Sequence, residues 1–521
     1  MSEQIVERVA LNFTDLTGAK TGCKTLGSNK FWTGEVVQRA DGLYDFRCRW
    51  GSTGTPGSDK GSKYGISESS ALSTLRSKVA SKEKKGYTKL DTRSKDEEVA
   101  KAATQGIDLT NGGAPIQPKV VTVAPTGPAL HPNVERLLSV IYGSNSNVVR
   151  SGLSAQAGAT EDNPIGNLSD AQLDLGGGIL DDIETLLKNE IGRETGSNRN
   201  MELPLRGDGT PIMPIIDLTN SFMSNVPREI ARSQRGRANL HRVVISSYER
   251  LEEQRKFLQL LRDAHLSQAT FQAAAQATAP ASKAHVWYDG LGCDIEFCVP
   301  GSKEHDWVVN VFSKGQSRHN ANWFSGGSSR LRVANVWKFT RKGSDAGFQR
   351  YAKEVTAKRG ALGNIWAWHG TRTENLLGIG KNGLLMPENL PRGVHISGKA
   401  FGRGVYHAPN WTATDTYMVG SHKTDGTNGA LKSMNYTSAR GAYYGSGNTS
   451  SGAFMFLQEV ALGKPEVLTS ASWDQHRPKG FPKNDWIYAC AGGISSLTHD
   501  EVVTFSQDAQ VFRYMVEILA N

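Results

Sequence analysis

Cysteine is scarce in this 521-residue chain: Cys23, Cys48, Cys293, Cys298 and Cys490 are all there is, and no two form a CxxC pair. An odd, scattered set argues against a disulfide framework and against structural zinc, and for reduced thiols in an intracellular protein. Long apolar runs are missing too. None approaches the roughly 18–20 residues that span a bilayer, so no membrane association is expected. The start, MSEQIVERVA, has no basic segment leading into an apolar stretch, and nothing in it reads as a secretion leader. P-loop, HExxH and GxSxG signatures are absent, and no repeat of fixed period runs through the chain.

What is present in excess is positive charge, and it is localised. Between Lys20 and Lys95 there are 16 Lys/Arg against 7 Asp/Glu; the rest of the chain, 44 against 44, is neutral. A basic module on a neutral body suggests a polyanionic partner, against the plain alternative of a solvated charged face.

The pattern divides the chain in four. Residues 1–100 alternate short β-rich runs with turns: KFWTGEVVQ and LYDFRCRWG pair around Asp41-Gly42, a hairpin signal, and SESSALSTLRSKVASKEKK reads as a helix. Residues 101–128, rich in Gly, Pro and Thr, read as a flexible linker. Residues 129–275 carry apolar residues at helix spacing. Ser169-x-x-Gln172 reads as a capping box there, although Gly176 to Gly178 each weaken the helix by about 1 kcal/mol relative to Ala. FQAAAQATAPAS reads as a connector. In residues 280–521 strands dominate, among them CDIEFCV, DWVVNVF, ANVWKFTR, GVYHA, AFMFLQEVAL and EVVTF.

Three positions in the last part carry chemistry. His369 opens HGTR after an aromatic strand, Tyr406 and Tyr417 lie eleven residues apart, and Glu501 heads a strand. Taken singly, each has a plain reading as a core histidine, packing tyrosines or an exposed acid. Together, the HGTR, FGRGVY, FLQEVALG and DEVV blocks resemble, in order and spacing, the poly(ADP-ribose) polymerase family. NPIGNLSDAQ and IIDLTNSFMSNVP resemble its helical regulatory domain, and NKFW, FRCRWGSTG and KKGYTKL its WGR domain.

That resemblance implies a multidomain α+β protein: a small β-rich WGR domain, an all-α helical bundle and a mixed β-sheet ADP-ribosyltransferase domain. It implies NAD as substrate and no metal. It also implies protein acceptors, the chain itself included, and DNA ends or nicks as partners. The location would be the nucleus in a eukaryote and the cytoplasm or nucleoid otherwise. By the same resemblance His369, Tyr406 and Glu501 are the catalytic set. Gly370 and Thr414 clamp the nicotinamide amide, and Tyr406 and Tyr417 bracket its ring. His369 bonds the adenosine ribose, while Thr371, Arg372, Asn375 and Arg403 line the remaining NAD site. Trp50, Arg49 and Lys30 contact DNA.

This chain departs from the family pattern in places. Ser52 replaces the third letter of the WGR motif, Arg403 stands for a Lys, and Thr414 stands for a Ser. Ala400 replaces a larger apolar residue, which makes polymer elongation less expected than NAD cleavage. The segment from Glu501 to Gln510 is one residue longer than the pattern. Two alternatives therefore stay open: a DNA-end-binding protein with mono-ADP-ribosyltransferase or degenerate activity, and a transferase directed at RNA or a foreign protein. Gly378-Ile-Gly380-Lys-Asn-Gly383 matches GxGxxG but follows a helical stretch, so it reads as a helix end and not as a dinucleotide loop.

Overall fold

The structure is a computed structural model that describes residues 4–17, 28–53, 57–90, 129–153, 168–194, 197–203, 213–228, 243–275, 277, 280–314, 331–386, 401–410, 453–468, 483–490, 497 and 500–520. The linker expected at 101–128, Ala400, Thr414 and Tyr417 lie outside the described residues. The chain forms two compact units, one from the described residues up to 90 and from 146 to 283, the other from 129–145 and from 284 onward. Among the described residues, no helix is long and apolar enough to cross a membrane.

In the first unit β1 (Gln4–Asp15), β2 (Ser28–Gln38), β3 (Tyr44–Ser52), β4 (Lys63–Ile66) and β5 (Thr88–Leu90) form an antiparallel sheet in the order β4-β3-β2-β1-β5. The expected hairpin joins β2 to β3. The Asp41 carboxylate accepts the Leu43 N–H at 3.1 Å, and Gly42 takes φ +82°, which glycine adopts without strain. Helix α1 (Glu68–Glu83), capped by Ser67 Oγ on the Ser70 N–H, lies over one face and packs Ala71 and Leu75 on Trp32, Val36 and Phe46. A Cβ on Gly34 would stand 2.4 Å from the Trp32 ring and 2.7 Å from Leu75, so the bare glycine is what lets the indole lie flat beneath the helix.

The rest of the first unit is mainly helical: the end of α2 (Pro132–Gly152), α3 (Asp170–Ile191), α4 (Met213–Asn225), α5 (Tyr248–Leu266) and α6 (Gln268–Ala275). Ser169 caps α3 by accepting the Gln172 N–H at 3.2 Å, but the Gln172 amide turns away to Asn225 Oδ1 at 2.8 Å. Only half of the expected box forms, because Gln172 is buried and its amide bonds Asn225 instead. α3 runs straight through its glycines. A Cβ on Gly176 would stand 2.8 Å from Val226, so this glycine admits a close neighbour. Acids of α3 face bases of α5 in antiparallel order, Asp170 on His265, Asp174 on Arg262 and Asp181 on Arg255. The expected connector FQAAAQATAPAS in fact holds α6. Its alanines favour a helix, and Phe271 and Ala274 bury one side of it.

The free face of the five-stranded sheet docks on α4. Asn12 Nδ2 donates to the carbonyl of Met223 at 2.9 Å, and Asn29 Nδ2 to that of Arg228 at 2.8 Å. The backbone N–H of Leu16 donates to Asn220 Oδ1 at 2.9 Å, and that of Thr14 to Ser224 Oγ at 3.1 Å. Asn12 thus satisfies carbonyls that the helix end leaves without partners, and Asn29 holds the segment that follows it.

The second unit is built on a nine-stranded sheet: β6 (Cys293–Phe297), β7 (Leu331–Arg341), β8 (Gly363–Thr371), β9 (Val405–Pro409), β10 (Ala453–Leu462), β11 (Pro465–Leu468), β12 (Trp486–Ala489), β13 (Glu501–Thr504) and β14 (Gln510–Ala520), in the order β11-β12-β13-β9-β8-β10-β14-β7-β6. Around it stand α7 (Pro280–Leu291), α8 (Lys303–Lys314), α9 (Ser344–Thr356) and α10 (Leu376–Asn382). DWVVNVF, expected as a strand, is the body of α8. Ser302 Oγ accepts the His305 N–H at 3.2 Å, Glu304 and Asp306 sit in the first turn, and the residues buried are Val308 and Phe312, four apart. The GxGxxG glycines lie within and just after α10, where Gly383 ends the helix at φ +73°.

The first half of α2 packs in this unit. His131 stacks on Phe297 at 4.5 Å, Trp337 Nε1 donates to the Asn133 carbonyl at 3.2 Å, and Arg136 pairs with the buried Glu517. Asn335 Nδ2 donates to the same carboxylate at 2.7 Å.

Candidate active site and nucleic-acid interface

Three neighbouring strands, β8, β9 and β13, bring His369, Tyr406 and Glu501 into one region of the sheet. Tyr406 pairs with Val503, two residues from Glu501, so by the two-residue period of a strand Glu501 and Tyr406 share a face. Pairing of β8 with β9 covers Ala367↔Pro409 and Trp368↔Ala408, and His369 and Gly370 lie just beyond the last pair. The strands part at the residues expected to hold NAD.

The Tyr406 hydroxyl donates to the Gly402 carbonyl at 2.8 Å and accepts the Phe401 N–H at 2.9 Å. Burial pushes the pKa of this phenol well above the usual range and the nearby Glu501 carboxylate adds to that, against the Phe401 bond, which lowers it. The residue therefore stays a neutral aromatic surface. Both glycines of the FGRG block have a physical reason. Gly402 sits at φ +93°, and a Cβ on Gly404 would stand 2.5 Å from Val503 and 2.6 Å from the Thr504 carbonyl. The half-buried His369 places Nδ1 3.4 Å from the Tyr406 carbonyl; desolvation lowers its pKa to about 4, although that contact raises it. His369 is thus a neutral hydrogen-bonding group at ordinary pH.

Beyond it, Thr371 is buried and accepts from Asn375 Nδ2 at 3.4 Å, and Arg372 lies 3.9 Å from Glu374 at the turn into α10. Arg403 is half-buried on the loop that the Tyr406 hydroxyl fastens. Thr414, expected to clamp the nicotinamide amide with Gly370, and Tyr417, expected to bracket its ring with Tyr406, fall outside the described residues. Among the described residues, no group of three or more His, Cys, Asp or Glu is placed to hold a metal ion.

On the first unit, Trp50 is 41% exposed at the end of β3, with Nε1 donating to the Lys60 carbonyl at 3.0 Å. Lys82 Nζ stands over its ring at 5.9 Å and over that of Tyr87 at 4.8 Å. Burial lowers the Lys82 pKa, and the surrounding Lys85, Lys30 and Lys78 lower it further, a crowding of like charge that an anion would relieve. Lys30 and Arg49 are exposed, whereas Arg47 is engaged by Asp45 at 2.9 Å. Lys78, Lys82 and Lys85 escaped the sequence reading. Their signal was available, since spacing of four and three puts them on one helical face.

Sequence profiles of three domain families match the chain in succession: the WGR domain over residues 7–94, the poly(ADP-ribose) polymerase regulatory domain over 128–286, and the poly(ADP-ribose) polymerase catalytic domain over 302–485. The chain belongs to the poly(ADP-ribose) polymerase family. Its 302–485 segment matches the family's catalytic domain, and Glu501 lies beyond the matched residues. Among curated relatives, the chain is similar to Protein mono-ADP-ribosyltransferase PARP3 of Gallus gallus, 26% identical over 379 residues, which are 72% of this chain and 56% of the relative. It is also similar to Poly [ADP-ribose] polymerase 1 of Arabidopsis thaliana, 23% identical over 61% of this chain and 25% of the relative. A third relative, Poly [ADP-ribose] polymerase 1 of Xenopus laevis, is 26% identical over 51% of this chain and 22% of its own length. The chain thus spans about half the length of the first relative and about a quarter or less of the other two.

Proposed function

We propose that this chain transfers ADP-ribose from NAD to protein acceptors, itself among them, with release of nicotinamide, and that DNA ends or nicks stimulate it. The observation that carries the reading is the convergence of His369, Tyr406 and Glu501 on adjacent strands where β8 and β9 part. Breaking the nicotinamide–ribose bond sends its electron pair to the pyridinium nitrogen and leaves positive charge on the sugar. Neutral His369 holds a ribose hydroxyl, the ring of Tyr406 supports the nicotinamide, and the Glu501 carboxylate stabilises the sugar cation and accepts the proton of the attacking group.

Trp50 and its lysines supply a surface for a DNA terminus, the indole against sugar and the ammonium groups on phosphates. Docking of the five-stranded sheet on α4 supports a route by which binding loosens the helices, a shift of populations. The location that fits is intracellular, the nucleus in a eukaryote. NAD turnover by wild type and Glu501→Gln, each with and without nicked DNA, tests the reading. We expect DNA to raise the wild-type rate and the substitution to lower it by on the order of 100-fold or more. Equal rates with and without DNA sink the stimulation, and an undiminished Glu501→Gln means another acid does the work.

A second reading is a DNA-end-binding protein with mono-ADP-ribosyltransferase or degenerate activity. It is favoured by the similarity to a relative named as a mono-ADP-ribosyltransferase, and by Ala400 and Ser52. Labelled NAD separates the two, because polymer runs as a ladder on a gel and single transfer as one band.

A further inference from the structure

We propose that His407 is a positioning residue for the transfer reaction, held in a one-way chain of side-chain hydrogen bonds that locks β9 against β13 and so fixes the spacing of Tyr406 and Glu501. The inference rests on the reading of the site given above. Its members are Gln458 of β10, His407 of β9, Thr504 of β13 and Gln510 at the head of β14, all buried.

The direction of the chain follows from one fixed acceptor. The backbone carbonyl of Gln507 can only accept, and it takes the Gln510 amide N–H at 3.0 Å. Gln510 Oε1 is then the acceptor that faces Thr504, whose hydroxyl donates to it at 3.1 Å. With its proton so used, Thr504 Oγ1 accepts from His407 Nε2 at 2.9 Å, so the imidazole carries its proton on Nε2. His407 Nδ1 is left to accept, and the Gln458 amide N–H donates to it. The ring is neutral: burial, and then the neighbouring His369, lower its pKa to about 3.

The need for such a lock lies in how little backbone holds this seam. β13 and β9 share three pairs, Val502↔His407, Val503↔Tyr406 and Thr504↔Val405, and β9 and β8 share two. A ladder that short specifies register weakly, and a slip carries every side chain with it. The chain runs on the face opposite Tyr406 and Glu501, since His407 pairs with Val502. It ties β9 to β13 from behind Tyr406 and Glu501, with His369 as the neighbour of His407 on its own face. Each of the four side chains bonds the next, and buried links of this kind hold their partners stiffly, although the Gln458 Oε1 at the head of the chain is buried without a partner among the described residues.

The test is a matched pair at Thr504, with nitrogen NMR of the His407 ring. Thr504→Val keeps the shape and removes both the acceptor and the donor; Thr504→Ser keeps the hydroxyl. We expect Thr504→Val to lower kcat about 10-fold with KM for NAD within about 2-fold, and Thr504→Ser to stay within about 2-fold of wild type in both. The wild-type ring should show a single tautomer protonated on Nε2. Should Thr504→Val not fold, Gln458→Met breaks the chain at its other end with the same expected split. A Thr504→Val protein that melts lower yet keeps its kcat overturns the positioning role, and an Nδ1-protonated or exchanging ring overturns the chain. A wild type that does not turn over NAD sinks the functional reading and the positioning role with it, while the tautomer still decides the chain.

Discussion

The two sheets use the same residue types for opposite purposes. In the five-stranded sheet Asn12 and Asn29 reach out to backbone carbonyls at the end of α4 and in the segment just after it, so polar side chains form a joint between elements. In the nine-stranded sheet Gln458, His407 and Thr504 bond one another inside the strands, so polar side chains form a lock within one element. A joint made of a few amide bonds can open at moderate cost, whereas a buried chain opens only with the sheet. The difference assigns conformational response to the first unit and fixed geometry to the second.

Acid sharpens the contrast most. An unfolded histidine is protonated as pH falls through about 6.5, whereas folded His369 and His407 resist until about 4 and about 3. The unfolded chain therefore binds more protons in that window, and the stability that neutral burial contributes above pH 6.5 is lost as pH drops through it, up to about 1.4 kcal/mol per pH unit for each ring. The five-stranded sheet contains no histidine. Amide hydrogen exchange between pH 7 and pH 4 should lose protection in β8, β9 and β10 before β1, β2 and β3; the reverse order breaks the comparison.

Asn12→Leu attacks the joint. It leaves the carbonyls of Met223 and Ser224 without their side-chain donor, at a cost of about 1–3 kcal/mol. The expected result is weaker DNA stimulation at an unchanged DNA-free rate, read from melting and NAD turnover together. If the DNA-free rate collapses as well, the joint belongs to the active fold itself. The smallest effects belong to the exposed front. Trp50→Ala should weaken binding of a DNA end by about 1–2 kcal/mol with little change in melting. Lys82→Gln should lower the slope of log affinity against log salt by about 0.9. A salt titration of both variants checks this, and an unchanged slope removes Lys82 from the interface.

Much of this was legible beforehand, for identifiable reasons. The β2–β3 hairpin announced itself through Asp41-Gly42, and His369 and Tyr406 sit in blocks whose neighbours constrain them. α8 was misread because its β-branched run mimics a strand, while the signal that decides, burial at Val308 and Phe312 with a Ser302 cap, is tertiary. The half-formed box at Ser169 failed because Asn225, 53 positions away from Gln172, claimed its amide. The chain through His407 was invisible for the same reason, since Gln458 and Thr504 lie 51 and 97 positions from it. Local pattern reports what a residue prefers, and these side chains were settled by distant partners.

The doubly bonded phenol of Tyr406 carries a last consequence, for ligands. With its hydroxyl tied as both donor and acceptor across Phe401 and Gly402, the ring has no freedom to turn. A flat heteroaromatic that lies on it meets a surface already still. The ordering entropy of about 0.5–1.5 kcal/mol that a mobile side chain would lose on contact was spent when the chain folded. Small planar compounds should therefore bind here with high affinity for each atom, and Tyr406→Phe, which keeps the ring and frees it, should weaken them.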